Sequence, residues 1–248
     1  YRPWNAHKFY RSIKQWYSHV PESGWPCNVL SNHDQPRNYN KFSNADAEKR
    51  ARVAAMLLLT LRGTPFMYYG EEIGMKNSRI PRAKIADPAG KKYWPFYIGR
   101  DCCRTPMQWS SQTNAGFTQG NIWLPVSMDY KKVNVENQTD DKYSLLNFYK
   151  RLIKLRKEKA SLSHGTWKVI AKGNTGIFTY LREHEKQILC VLLNFTKKQQ
   201  TLNAGHRGQW KVLFSTHRSV YEHFAHLHVR LYPFEATIIE KIGDLAQF

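Results

Sequence analysis

The sequence predicts an α/β fold followed by a separate antiparallel β domain, and three observations carry that prediction. From Trp4 to about Glu158, helical patterns alternate with short apolar runs, the order that builds a sheet covered by helices. Beyond Gly165 the hydrophobic period becomes two, as in half-buried strands. Between the helical parts, Gly70 to Asp141 mixes Gly, Pro, Asn and Trp with no period, and irregular segments of that length in compact domains are usually functional. The division expected is residues 1–160 for the α/β part and 161–248 for the β part.

In chain order, Trp4 to Val20 reads as a helix with Phe9, Ile13, Trp16 and Tyr17 on one face. Cys27 to Leu30 is a short apolar strand. Ser43 or Asn44 can cap the next helix, with Asp46 and Glu48 near the positive end of its dipole. Along that helix Ala54, Leu57, Leu58 and Leu61 recur at spacings of three and four. Gly63 and Pro65 end it, and Phe66 to Tyr69 is extended again. Tyr143 to Lys159 is the last long helix, with Leu145, Leu146, Tyr149, Leu152 and Ile153 as its apolar stripe. The strands expected after it are Ile177 to Leu181, Ile188 to Phe195, Trp210 to Phe214, and the alternation Leu227, Val229, Leu231. Gly173-Asn174, Asn203-Ala204-Gly205 and Pro233 supply turn chemistry between them.

Composition narrows the function classes. With 38 Lys and Arg against 19 Asp and Glu, the 248 residues carry a formal charge of +19, which raises nucleic acid as a partner. The basic residues are spread over Arg50 to Lys91, Lys150 to Lys159 and Lys197 to Lys211, interleaved with apolar positions and without a recognised nucleic-acid module, so nucleic-acid binding is not expected. No run reaches the roughly 18 apolar residues of a membrane span. The four cysteines, Cys27, Cys102, Cys103 and Cys190, match neither a disulfide framework nor zinc-ligand spacing. They fit a reducing, cytoplasmic setting, whereas Asn137-Gln138-Thr139 and Asn194-Phe195-Thr196 would be glycan acceptors in a secreted chain. His226 and His228 alternate with apolar residues and read as solvent-facing strand positions rather than metal ligands, so no metal and no cofactor is expected.

The densest polar stretch is Ser31-Asn32-His33-Asp34-Gln35-Pro36-Arg37, at the exit of the first strand, where α/β enzymes keep their chemistry. It sets an imidazole, a carboxylate, carboxamides and a guanidinium within a few residues. By themselves these residue types equally make a turn or a helix cap.

Three strings in order, Asn28-Val29-Leu30-Ser31-Asn32-His33-Asp34, Gly63-Thr64-Pro65-Phe66-Met67-Tyr68-Tyr69-Gly70-Glu71-Glu72-Ile73-Gly74 and Arg100-Asp101-Cys102-Cys103-Arg104-Thr105-Pro106-Met107-Gln108-Trp109, resemble signatures of glycoside hydrolase family 13, most of all its α-glucosidase and oligo-1,6-glucosidase branch. Asn114-Ala115-Gly116-Phe117, Trp123-Leu124-Pro125-Val126 and Tyr232-Pro233-Phe234-Glu235-Ala236 extend the resemblance over nearly the whole chain. It implies the C-terminal part of a (β/α)8 TIM barrel, its last strands and helices, followed by an antiparallel β-sandwich domain. Cys27 to Leu30 would be the seventh strand, Phe66 to Tyr69 the eighth, and Tyr143 to Lys159 the closing helix.

The resemblance implies a retaining glycosidase acting on α-linked glucose of short oligosaccharides of the maltose or isomaltose type. Such enzymes use a nucleophilic carboxylate and an acid about 5–5.5 Å apart. The matching Asp and Glu would lie upstream of this sequence, so these residues alone are expected to be inactive. Asp34 matches the family's third carboxylate, which stabilises the transition state. His33 and Arg104 match sugar-binding residues, and Asn32, Gln35 and Arg37 would support the loop or reach the next sugar. Glu71 and Glu72 match glutamates that are structural rather than catalytic, and Cys102 stands where relatives often have a small residue. Two other outcomes stay open: a transglucosidase or sucrose isomerase, and a non-catalytic relative acting as a protein partner.

Overall fold

The computed structural model describes residues 4–41, 46–172, 175–218 and 222–243. It divides into two compact units: Tyr1–Asn28 with Arg52–Pro65 and Leu152–Phe248, and Val29–Ala51 with Phe66–Arg151. The cap expected at Ser43 or Asn44 and the turn at Gly173-Asn174 lie outside the described residues.

In the first unit, α1 (Ala6–Ser18) starts at Asn5, whose side chain accepts the Lys8 N–H at 3.0 Å. Its buried positions are Ala6 and Tyr10, whereas Trp16 of the expected face is half exposed. The buried line is offset because the helix rests on the β domain, where the Tyr10 ring meets Phe178 at 6.0 Å and Phe9 meets Phe195 at 5.3 Å. β1 (Cys27–Val29) follows. In the second unit, one turn of helix, α2 (Asn38–Lys41), precedes α3 (Ala47–Thr60), which runs on into the first. Every residue from Val53 to Leu61 is buried, so this end of α3 is enclosed on all sides, whereas Glu48 and Lys49 near its start are exposed. Its last carbonyls are closed by a side chain: Arg156 Nη1 donates to Leu59 O at 2.7 Å and Leu61 O at 3.2 Å, and Nη2 to Gly63 O at 2.6 Å.

Gly63 adopts φ +107°, and a Cβ there would fall 2.1 Å from Pro26 O. Only glycine lets the chain enter β2 (Thr64–Phe66) at that separation, with the Thr64 N–H donating to Pro26 O at 2.9 Å. This strand begins earlier than the expected Phe66 to Tyr69 and contains Pro65, which a short two-stranded β1–β2 sheet tolerates.

The long segment of the second unit is built from short pieces: 3-10 turns at Glu71–Ile73 and Asp101–Cys103, α4 (Pro88–Lys92) and α5 (Val135–Thr139). Two small apolar clusters hold it, Ile80 with Ile85 and Leu124, and Ile73 with Met75, Met107 and Leu146. Leu146 belongs to α6 (Leu145–Glu158), which presents the expected stripe apart from Ile153, which is only partly buried. α7 (Ala160–Ser163) follows.

The C-terminal part is antiparallel throughout, with β3 (Lys168–Lys172), β4 (Ile177–His184), β5 (Gln187–Asn194), β6 (Gln200–Ser215), β7 (His223–Leu231) and β8 (Ala236–Gly243) in the order β3-β4-β5-β8-β6-β7. One cluster of buried side chains draws on strands from β4 to β7 in this order, from Ile177 and Leu181 to Val229 and Leu231, with Ile170 and Ala171 of β3 packed against it, as the shared core of a sandwich does. The Asn203-Ala204-Gly205 turn is corrected: these residues lie inside β6, where the register with β7 shifts and Gly205 and Gly208 take φ +64° and +137°. The glycines form bulges that let a 16-residue strand bend instead of ending.

His226 and His228 are exposed on β7, and no group of three or more His, Cys, Asp or Glu is arranged around a metal-sized site among the described residues. No described helix is long and apolar enough to cross a membrane. Asn194 is fully buried, its Nδ2 donating to Lys198 O at 2.9 Å and Tyr232 O at 2.7 Å.

Candidate active site

The polar stretch after β1 folds as a tight turn inside the second unit. Asn32 Oδ1 accepts the Asp34 N–H at 2.9 Å and Asn32 O accepts the Gln35 N–H at 3.2 Å. Asn32 is therefore the turn-former that presents Asp34 outward. Gln35 is exposed.

Two guanidiniums converge on Asp34. Arg104 Nη2 donates to Oδ1 at 2.7 Å and Arg100 Nη1 to the same oxygen at 3.0 Å. His33 Nε2 lies 3.6 Å from Oδ2, and the Asp34 side chain is 45% exposed. Desolvation alone would raise the Asp34 pKa; the hydrogen bond from Arg104 and the charges of His33 and Arg100 outweigh it and hold the carboxyl below its ordinary value. Arg104 also clasps the turn, its Nε donating to His33 O at 2.8 Å, and Cys103 Sγ reaches the same carbonyl at 3.4 Å.

Behind this pair stands a support that sequence reasoning did not single out. Arg100 Nε and its backbone N–H donate to Asp87 Oδ2 at 3.0 and 2.8 Å, and Asp87 caps α4 through the Ala89 N–H at 3.2 Å. The hydrogen bond from Arg100 pulls the Asp87 carboxyl down to about 2. Asp101 Oδ2 accepts the Ala86 and Asp87 N–H groups at 2.7 and 2.8 Å. The chain Asp101, Asp87, Arg100, Asp34 thus ties the long segment to the turn. The Asp87-Pro88 pair, a helix-start signal, was the available clue to Asp87.

Arg37 points away from the exposed group. It is 1% exposed, donates through Nη1 to Tyr69 O, and lies 4.5 Å from the Tyr69 ring centroid and 5.0 Å from that of Tyr68. The aromatic faces take the place of partners for Nε and Nη2, which are buried without hydrogen bonds. Its backbone N–H donates to Asn77 Oδ1 at 2.9 Å. Glu71 is buried, with the Ser31 hydroxyl and Asn38 Nδ2 donating to its Oε1. Burial pushes its carboxyl up to about 7, and Glu72 is raised for the same reason. Glu71 anchors the floor of the turn through Ser31, and Lys41 Nζ closes it on Leu30 O at 2.7 Å.

The arrangement offers a half-exposed carboxylate with one oxygen held by two guanidiniums and the other facing His33 Nε2 at 3.6 Å. Beside it lie an imidazole and a guanidinium. Groups of these types, a carboxylate, an imidazole and guanidiniums, can hydrogen-bond hydroxyls, and a carboxylate can stabilise positive charge placed near it.

The family model for the alpha amylase catalytic domain matches residues 1–165. The chain is 34% identical over 260 residues to an oligo-1,6-glucosidase of Parageobacillus thermoglucosidasius, covering 96% of this chain and 46% of that protein. It is 37% identical over 208 residues to a probable oligo-1,6-glucosidase of Bacillus subtilis (strain 168), covering 75% and 37%. It superposes with a TM-score of 0.81 and 26% identity on a mutant isomaltulose synthase of Erwinia rhapontici NX5 in complex with its natural substrate sucrose, covering 96% of this chain and 47% of that one. The chain spans less than half the length of each of these proteins.

Proposed function

Since the chain belongs to the alpha-amylase family, glycoside hydrolase family 13, in its oligo-1,6-glucosidase branch, we propose that it is the later part of a retaining α-glucosidase acting on short maltose- or isomaltose-type oligosaccharides. Residues 1–160 complete the catalytic barrel and 161–248 form the β domain. Asp34 accepts hydrogen bonds from sugar hydroxyls that strengthen as the ring becomes positive. His33 and Arg104 bind the same sugar, Asn32 and Arg37 hold the turn, and Gln35 faces the next unit. The nucleophilic Asp and the acid Glu are supplied from outside these 248 residues, so the isolated chain does not hydrolyse glucosides. The compartment that fits its four free thiols is the cytoplasm.

The observation that carries this reading is the Arg100–Asp34–Arg104 cluster, which keeps Asp34 ionised while leaving it half exposed. It is tested by assaying the intact enzyme on p-nitrophenyl α-glucoside with and without Asp34→Asn. A loss of on the order of 10²–10³-fold in kcat/KM is expected; a variant as active as the parent overturns the assignment. The likeness to isomaltulose synthase supports a second reading, in which a sugar rather than water takes the glucosyl group. Product analysis on sucrose separates the two.

A further inference from the structure

The 3-10 turn Asp101–Cys103 carries two adjacent free thiols, and it sits between the two arginines that hold Asp34. Cys102 is partly exposed, whereas Cys103 is buried. Asn77 Nδ2 donates to Cys102 Sγ at 3.5 Å, while Cys103 Sγ donates to Arg100 O at 3.1 Å and His33 O at 3.4 Å. The two thiols are also hydrogen-bonded to one another. That contact pulls the Cys102 thiol down to about 7 and, together with burial, raises the Cys103 thiol. The outer sulfur is therefore the nucleophile, and the inner one keeps its proton. An accessible low-pKa thiol with a second cysteine beside it is the arrangement that exchanges with disulfides.

The turn is fixed on both sides. Cys102 O accepts the Ser78 N–H at 2.9 Å and Cys103 O accepts the Tyr68 hydroxyl at 3.0 Å. The turn itself closes through the Cys103 N–H on Arg100 O at 3.1 Å and the Arg104 N–H on Asp101 O at 3.0 Å. Adjacent residues have Cα atoms about 3.8 Å apart, closer than the roughly 4.4–6.8 Å of an ordinary disulfide. A bond between these two sulfurs therefore forms only if the backbone between them turns out of this conformation. Cys103 Sγ then leaves His33 O, and Arg100 and Arg104, on the two sides of the rotated peptide, no longer converge on one oxygen of Asp34.

We propose that Cys102 and Cys103 are a redox modification site: a small disulfide such as glutathione disulfide oxidises the pair to a vicinal disulfide, which reversibly withdraws the guanidiniums from Asp34. The Cys102 thiolate attacks one sulfur of glutathione disulfide and expels a first glutathione, which takes up the proton that Cys102 gave. Capping Cys102 removes the contact that kept the Cys103 proton. Cys103 then gives up that proton and attacks Cys102 Sγ, expelling the second glutathione. Two thiols have become one disulfide and the oxidant has become two thiols. The loss of activity this predicts rests on the proposed glucosidase reading, whereas the formation of the bond does not.

The test uses the intact enzyme with its other exposed thiol removed, Cys27→Ser, equilibrated in buffers running from glutathione to glutathione disulfide. Two readouts are taken, the rate on p-nitrophenyl α-glucoside and the mass of the tryptic peptide Asp101–Arg104. On oxidation kcat/KM is expected to fall about tenfold or more, the loss of one charge-assisted hydrogen bond at Asp34. The peptide becomes lighter by two hydrogens in the same proportion, and dithiothreitol restores both. Cys102→Ala and Cys102→Ser keep the reduced rate across the whole series. A peptide of unchanged mass at the oxidised end, or one that retains a glutathionyl group, overturns the bond. A bond that forms with no loss of rate, or an equal loss in both Cys102 variants, overturns its control of the site. The underlying reading fails separately, if Asp34→Asn keeps the parent's rate in reduced buffer.

Discussion

Arg104 Nη2 stands 2.7 Å from Asp34 Oδ1, while the Nε of the same guanidinium holds the carbonyl of the preceding residue, His33, at 2.8 Å. One planar fork therefore fixes both the charge and the backbone of the turn. A lysine is a point charge on a flexible stem and cannot make both contacts.

Arg104→Lys is accordingly expected to lower kcat/KM of the intact enzyme by on the order of 10²-fold. It also moves the Asp34 pKa upward toward the ordinary carboxylate value, because Arg104 is its strongest stabilising partner. The acid limb of the pH–rate profile should shift to higher pH. A profile identical to the parent's would show that Arg104 does not set the ionisation of Asp34.

Arg100→Met isolates the support behind the site. It leaves the Asp87 carboxylate without its guanidinium and is expected to destabilise the fold, less than breaking a fully buried pair would because Arg100 is 37% exposed. The Asp87 carboxyl is depressed to about 2, so its contribution is present above the unfolded value of 3.8 and is lost as pH falls toward 2. Urea unfolding should show the deficit at pH 7 and a smaller one near pH 3. Equal deficits at both would assign the loss to packing instead.

Glu71 predicts the opposite slope. Its carboxyl is raised from 4.5 to about 7, so the folded state binds the proton more tightly than the unfolded chain. The stability linked to that proton is complete below 4.5 and lost as pH rises through 7, a ramp of about 3 kcal/mol. In Glu71→Gln this ramp should be absent from the unfolding free energy measured between pH 4.5 and 8. Persistence of the full slope would place its origin in another group.

In the other unit, Arg182 is fully buried and donates to Thr60 O, to Gly165 O at 3.0 Å and to Thr166 O at 2.9 Å, while the Tyr180 hydroxyl lies 2.6 Å from Thr60 Oγ1. Arg182→Met leaves three carbonyls without donors and is expected to destabilise by about 3 kcal/mol or more. Thermal unfolding measures it. A midpoint unchanged within a degree would mean that these carbonyls find other partners.

Periodicity made the long elements legible. Ala54, Leu57 and Leu58 of α3, the stripe of α6, and the apolar runs of β4 and β5 all lie where their spacing puts them, because burial of a continuous face dominates there. The turn carrying Asn32, His33 and Asp34 was legible from its polar density. Arg100 and Asp87 were not, since their ion pair joins residues in a segment without any period. Arg37 is expected to support the loop or reach the next sugar; its burial could not be read locally, because its aromatic cover comes from Tyr68 and Tyr69, more than thirty residues away. The Asn203-Ala204-Gly205 string reads as a turn by composition, yet pairing with β7 continues before and after it and leaves a bulge there. β3 and β8 escaped notice because neither shows a clean alternation in sequence.

β8 lies between β5 and β6 in the sheet although it is the last of the six strands in sequence. During synthesis the ribosome delivers β3 to β7 first, as two groups whose facing edges, on β5 and on β6, have nothing to pair with. The cooperative step of the β domain therefore waits for Ala236–Gly243 to emerge, and until then the nascent chain carries two open edges that a chaperone, or a neighbouring nascent chain, can occupy.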